Sequence, residues 1–192
     1  IESLISNGVN IINFSAGWAT YNTYDERSRW VDHIAYNHDV HFVKSAGNEG
    51  GTGVTSPGMA YNIITVGNTN MTSPYAINNS SSYNNGGANI SSNLTFKPDI
   101  SAPGTYNSSG RSGTSYAAPL VTGTIALMCE YQPALKTKQH IVKAILAASA
   151  SKDSRYTTGY STFKEYGAGL LDAHAAIWVI YKGNYSSTTG SL

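Results

Sequence analysis

A chain of 192 residues with 41% hydrophobic and only 12% charged residues holds enough apolar material for one packed core under a polar, weakly charged surface, which argues against disorder. Twelve Lys and Arg against eleven Asp and Glu leave a formal charge of +1 with no basic run to follow a phosphate backbone, so nucleic acid is not an expected partner. The single cysteine, Cys129, excludes an intrachain disulfide, and the longest apolar-leaning stretch, 117–129, is broken by Thr122, Gly123 and Thr124 and is too short to span a membrane.

The chain opens at Ile1 on a helical pattern of Ile1, Leu4 and Ile5, with neither an initiator Met nor the regions of a signal peptide, and is expected to be cut from a longer chain. Asn7-Gly8 stops that helix, and Val9-Asn10-Ile11-Ile12-Asn13-Phe14 reads as a buried strand closed by Ser15-Ala16-Gly17. A helix over 25–37 follows, carried by Trp30, Val31, Ile34 and Ala35. Val40-His41-Phe42-Val43 is then a second strand, ending in Ser45-Ala46-Gly47-Asn48. After a loop rich in glycine (Gly50, Gly51, Gly53), Ile63-Ile64-Thr65-Val66 makes a third strand. Strands alternating with helices predict a parallel sheet covered on both faces. The stretch 69–95, dense in Asn, Ser and Gly, predicts irregular surface structure with a hairpin. A helix over 114–131, apolar almost all round, is expected to be buried; helices over 137–150 and from Leu171 to about Tyr181 follow, and the tail 183–192 is expected to fray.

Ser115 lies where the loop Gly110-Arg111-Ser112-Gly113 meets the start of the apolar helix. A serine there sits beside unpaired backbone N–H groups and the positive end of the helix dipole, which together hold a developing oxyanion. Pro119 lacks the N–H that would have bonded the Ser115 carbonyl, so an irregular first turn is expected. Taken alone, the position reads equally as a helix N-cap.

The segment Gly113-Thr114-Ser115-Tyr116-Ala117-Ala118-Pro119-Leu120-Val121-Thr122-Gly123 resembles the nucleophile motif of the subtilisin-like serine proteases. Ile12-Asn13-Phe14-Ser15-Ala16-Gly17, Ser45-Ala46-Gly47-Asn48-Glu49-Gly50, Lys97-Pro98-Asp99-Ile100-Ser101-Ala102-Pro103-Gly104 and Tyr166-Gly167-Ala168-Gly169-Leu170-Leu171-Asp172-Ala173 resemble further segments of that family in the same order. The resemblance implies a subtilisin-like three-layer α/β sandwich with a mostly parallel sheet, of which residues 1–182 are the C-terminal portion and the N-terminal part is missing. It implies an endopeptidase with Ser115 as nucleophile and Asn48 as oxyanion donor, and substrate binding along Ser15, Ala16 and Gly17, along Ser45, Ala46 and Gly47, and at Thr114. It also implies a protein or peptide substrate and an extracellular or cell-surface location. Calcium sites are frequent in the family, yet no residue here is assigned to a metal.

The family's triad runs Asp, His, Ser, and its first two members precede the strand at Ile11. Here the ten residues before that strand contain neither His nor Asp, and His33, His38, His41, His140 and His174 all follow it outside a His-Gly-Thr context. The N-terminal part of the same catalytic domain is therefore expected to supply both, and the chain alone to be inactive. A pseudoprotease or peptide-binding regulatory domain is the alternative. His33, His38 and His41 are expected to be solvated near a helix end, Asp99 to be a surface or locally paired carboxylate, and Cys129 to be a small buried residue. The floor of the specificity pocket is expected near Gly53, Val54 and Thr55, with neutral surroundings that favour an apolar or aromatic side chain and with Glu49 at the rim.

Overall fold

The computed structural model describes residues 1–72, 75–84, 96–106, 110–152 and 164–183. Its main sheet joins β1 (Ile11–Phe14), β3 (His41–Ser45), β5 (Ile64–Asn70), β6 (Ile100–Tyr106) and β7 (Arg111–Ser112) in that spatial order. The first four strands are parallel, and β7 turns back antiparallel on β6. A second, two-stranded antiparallel sheet pairs β2 (Trp18–Tyr21) with β4 (Thr55–Ser56). The helices are α1 (Glu2–Ser6), α2 (Glu26–Asn37), α3 (Thr114–Tyr131), α4 (Gln139–Ser149) and α5 (Ala173–Tyr181).

Because side chains alternate along a strand, each parallel strand feeds both faces of the sheet. Ile12 and Phe42 pack with Val31, Ile34 and Ala35 of α2, while Val43, Ile64, Val66, Ile100 and Ala102 pack with Ala117, Ala118, Val121, Ile125 and Met128 of α3. Helices α4 and α5 extend the second core through Ile141, Val142, Ile145, Leu146, Ala176 and Ile180. The result is the expected three-layer α/β arrangement. The side chains of Asp25 and Asp172 cap α2 and α5 by accepting from the amides of Ser28 and Ala175.

Three expectations change on contact with the fold. Helix α3 is buried on one side only: Tyr116, Leu120, Leu127 and Tyr131, spaced at helical intervals, lie exposed, so its apolar circumference is half core and half open face. The irregular segment after β5 begins with a reversal, since Asn70 donates to the Ala76 carbonyl and Asn78 to that of Asn68; residues 73–74 and 85–95 of the region lie outside those described. The small β2–β4 sheet has no counterpart in the strand pattern. Most of the 183–192 tail, from residue 184 onward, also lies outside the described residues.

Candidate active site

Strands β1 and β3 run parallel and end side by side, and the amino end of α3 meets them there, the position at which open α/β sheets carry their sites. Ser115 is the second residue of α3 and half-buried. Its hydroxyl donates to the Ser15 carbonyl at 3.4 Å, while the Ser15 hydroxyl donates to the Ser115 carbonyl at 3.3 Å. That carbonyl is available because Pro119 has no N–H to give it.

Thr114 fixes the neighbouring strand end. Its hydroxyl is fully buried, accepts from the Gly47 N–H at 3.1 Å, and lies 3.2 Å from both the Gly47 carbonyl and Asn48 Oδ1. The Thr114 N–H donates to Asn48 Oδ1 at 2.9 Å. A backbone donor on Oδ1 sets which end of the amide is oxygen, so Nδ2 takes the outward position. Among the described residues, neither Asn48 Nδ2 nor the Ser115 N–H has an acceptor. Two free N–H donors thus flank the buried Thr114, one on exposed Asn48 and one on half-buried Ser115. Gly47 has φ +117°, and a Cβ there would lie 2.5 Å from the Glu49 carboxylate and 2.9 Å from Thr55 Cγ2, so the turn admits no side chain.

Ser15, Ala16 and Gly17, open to solvent at Ala16 and Gly17, and Ser45, Ala46 and Gly47, all buried, are the two sides of the candidate groove. Thr55 closes the bottom between them: its N–H donates to the Ala46 carbonyl at 3.0 Å, and its side chain touches the Cβ positions of both Gly17 and Gly47. Thr55 thus lies between the two segments, and its surroundings are not neutral throughout. Lys44, fully buried on β3, sends its Nζ to Thr55 Oγ1 at 3.1 Å and to the Ser45 carbonyl. Desolvation pushes this ammonium down to about 7, with Glu49 acting weakly in the opposite direction. The sequence reading stopped at Val43 and passed over Lys44; the available signal was a lysine inside a strand whose two faces must both be covered. Glu49 is exposed at the rim and accepts from its neighbour's N–H and from Ser82.

The histidines lie elsewhere. His33 and His38 are exposed on and beside α2, as expected, but His41 is buried in β3, where Nε2 meets the Leu135 carbonyl at 2.9 Å and Cys129 Sγ at 3.9 Å. His41 is on the inward side of a central strand rather than at a helix end, and burial depresses its basicity. Cys129 is buried and its thiol is pushed up by desolvation, the opposite of an activated nucleophile. His174 stacks on Trp178. Among the described residues no histidine is hydrogen-bonded to Ser115. Among the described residues no group of three His, Cys, Asp or Glu side chains stands where a metal ion would be held. Asp99 is paired internally with Lys97 at 2.7 Å and Lys143 at 2.9 Å.

Residues 1–169 match the model of the subtilase family. Subtilisin DY of Bacillus licheniformis is 30% identical over 185 residues, covering 92% of this chain and 60% of that protein. M-protease of Shouchella clausii (strain KSM-K16) is 28% identical over 174 residues, covering 89% of this chain and 40% of the relative. Among solved structures, the prenylagaramide maturation protease PagA aligns with a TM-score of 0.72 at 26% identity, over 92% of this chain and 64% of that one. The chain thus spans about 60% of subtilisin DY and 64% of PagA. A parallel sheet ending on a helix-borne serine, together with a family match over residues 1–169, places the chain in the subtilase family.

Proposed function

We propose that this chain is the nucleophile-bearing part of a serine endopeptidase catalytic domain. The observation that carries the reading is the pair of unoccupied donors, Asn48 Nδ2 and the Ser115 N–H, held by Thr114 beside the Ser115 hydroxyl. A peptide carbonyl seated between them would be polarised, and the charge that grows on its oxygen when Ser115 attacks would be met by preorganised dipoles. The exposed wall at Ala16 and Gly17 lets an extended peptide lie along the groove as an added strand.

Attack by a serine hydroxyl at neutral pH needs a base. With no histidine among the described residues hydrogen-bonded to Ser115, the base and its orienting carboxylate are assigned to a preceding part of the same catalytic domain. The histidine would take the Ser115 proton and return it to the leaving amine, and the Ser115 hydroxyl would leave the Ser15 carbonyl to reach it. A protein or peptide is the substrate class, and an extracellular or cell-surface setting follows from the same family likeness.

A serine-directed fluorophosphonate probe tests this. Labelling at Ser115 is expected in the protein that includes the preceding segment and not in the 192-residue chain alone. Asn48→Ala is expected to lower kcat more than it raises KM, because the amide bond strengthens as the oxyanion forms. Labelling of the isolated chain would show a base within it and overturn the division of the triad. A parent protein that binds peptides but never labels would favour the pseudoprotease reading.

A further inference from the structure

Buried lysines are rare unless paired, because desolvating an ammonium costs several kcal/mol. Lys97 follows that rule, with Asp99 at 2.7 Å. Lys44 does not. It is as buried as Lys97, yet among the described residues no carboxylate lies within ion-pair distance of its Nζ, whose acceptors are a carbonyl and a hydroxyl. Glu49, the acidic side chain that bears on it electrostatically, is turned to the Asn48 N–H and the Ser82 hydroxyl.

The position of that ammonium matters as much as its isolation. A Cβ built on Gly17 would stand 3.1 Å from Lys44 Nζ and 2.6 Å from Thr55 Oγ1, so only the absent side chain of a groove-wall glycine separates Nζ from the wall's inner surface. Thr55 Oγ1, bonded to Nζ, lies 2.6 Å from the Cβ position of Gly17, and the Thr55 methyl Cγ2 lies 2.9 Å from that of Gly47. The groove therefore ends on a hydroxyl backed by a cation.

We infer that Lys44 selects an acidic side chain, Asp or Glu, at the substrate residue preceding the scissile bond. A carboxylate entering between Ser15–Gly17 and Ser45–Gly47 would accept from Nζ, and from the Thr55 hydroxyl once that turns from the Ala46 carbonyl it bonds at 3.2 Å, turning an uncompensated buried cation into a hydrogen-bonded pair. An uncharged side chain leaves the cation as it is, and a basic one adds a like charge at short range. This replaces the expectation of an apolar or aromatic preference and rests on the proteolytic reading above.

The test uses the full-length protein and peptides that differ at one position, carrying Glu, Asp, Gln, Leu, Phe or Lys before the cleavable bond. Glu and Gln have the same shape, so their ratio isolates charge. A kcat/KM ratio for Glu over Gln of at least about tenfold is expected, falling towards one in Lys44→Met. Equal rates for Glu and Gln in the unaltered protein, or dominant cleavage after Leu, Phe or Lys, would overturn the inference and needs no variant to be folded. Binding of the same peptides to the Ser115→Ala protein, followed by calorimetry, separates this from the question of catalysis. If no peptide is cleaved but Glu still binds more tightly than Gln, the pocket assignment stands and the protease reading falls. If neither peptide is preferred there, the pocket assignment falls by itself.

Discussion

Replacing Asp99 by Ala should be among the most damaging single changes in the domain. The carboxylate accepts from Lys97 Nζ at 2.7 Å, from Lys143 Nζ at 2.9 Å and from the Thr65 N–H at 2.7 Å. The Lys97 side chain is 1% exposed, so losing its partner strands a buried cation, a change worth about 3–5 kcal/mol. The Thr65 amide, in a fully buried residue of β5, loses its acceptor as well, at about 1–3 kcal/mol. Lys143 suffers least, being part-exposed and retaining the carbonyls of Tyr61 and Ile63. Since the pieces share one network they do not simply add, and a total of about 4–6 kcal/mol is expected, comparable to the whole stability of a marginal domain. Burial opposes the Asp99 charge, but Lys143 and Lys97 hold its carboxyl below the ordinary range, whereas desolvation pulls Lys97 down to about 8. The ion pair is therefore complete only between those two limits, and the cost of Asp99→Ala should peak from about pH 5 to 8 and shrink above it. Urea unfolding followed by far-ultraviolet circular dichroism at pH 6 and pH 9 measures this, and the double variant Asp99→Leu/Lys97→Met should be less destabilised than Asp99→Ala alone. A loss below about 1 kcal/mol at pH 6, or one identical at both pH values, would refute the reasoning.

Lys44→Met should stabilise the fold by about 4–5 kcal/mol below pH 7, the linkage equivalent of an ammonium pushed from 10.5 to about 7; the unfolded chain holds that proton up to 10.5 and the native one does not, so wild-type stability rises with pH across the window and the advantage of Met fades by pH 10.5. Denaturant midpoints at pH 6, 8 and 10 would show it, and a gap independent of pH would refute it. Gly167→Ala should cost about 3 kcal/mol, read as a melting point lower by roughly 6–12 °C, because φ is +67° and the new Cβ would stand 2.4 Å from the Asp99 carbonyl. Thr114→Val should reduce kcat with little change in KM by removing one of the two Thr114 bonds to Asn48 Oδ1, leaving the backbone N–H alone to hold it, and by orphaning the Gly47 N–H, and Thr114→Ser should restore it.

Strand β6, which carries Pro103 and Gly104, and the two-residue β7 had no clear mark in the sequence, whereas strands β1, β3 and β5 and the helices declared themselves through short β-rich runs and helical periods, and α3 begins and ends where its apolar pattern does. The β2–β4 pair did not, since Trp18–Tyr21 is mostly exposed and its partner is two residues long and more than thirty positions away. At the site, Ser115, Asn48 and Thr114 were legible through the motifs that contain them, and the fold adds why they meet. Lys44 was not, because a charge inside an apolar run carries no local mark of what stands opposite it. Only the tertiary approach of Gly17 and Thr55 gives that lysine a position in the groove.

Pro119 has an effect well beyond its own turn of helix. By withholding an N–H from the Ser115 carbonyl it leaves that oxygen to the Ser15 hydroxyl, and the reciprocal contact from the Ser115 hydroxyl completes a clasp between segments a hundred residues apart. The Ser115 turn and the Ser15 segment are thereby tied to each other as well as to the core. Under the proposed reading, that tie would keep the Ser115 hydroxyl at a constant reach from a peptide lying along Ala16 and Gly17. Pro119→Ala would hand the carbonyl back to the helix and let the two wander independently, an alignment error that a melting curve would scarcely register and a turnover rate would.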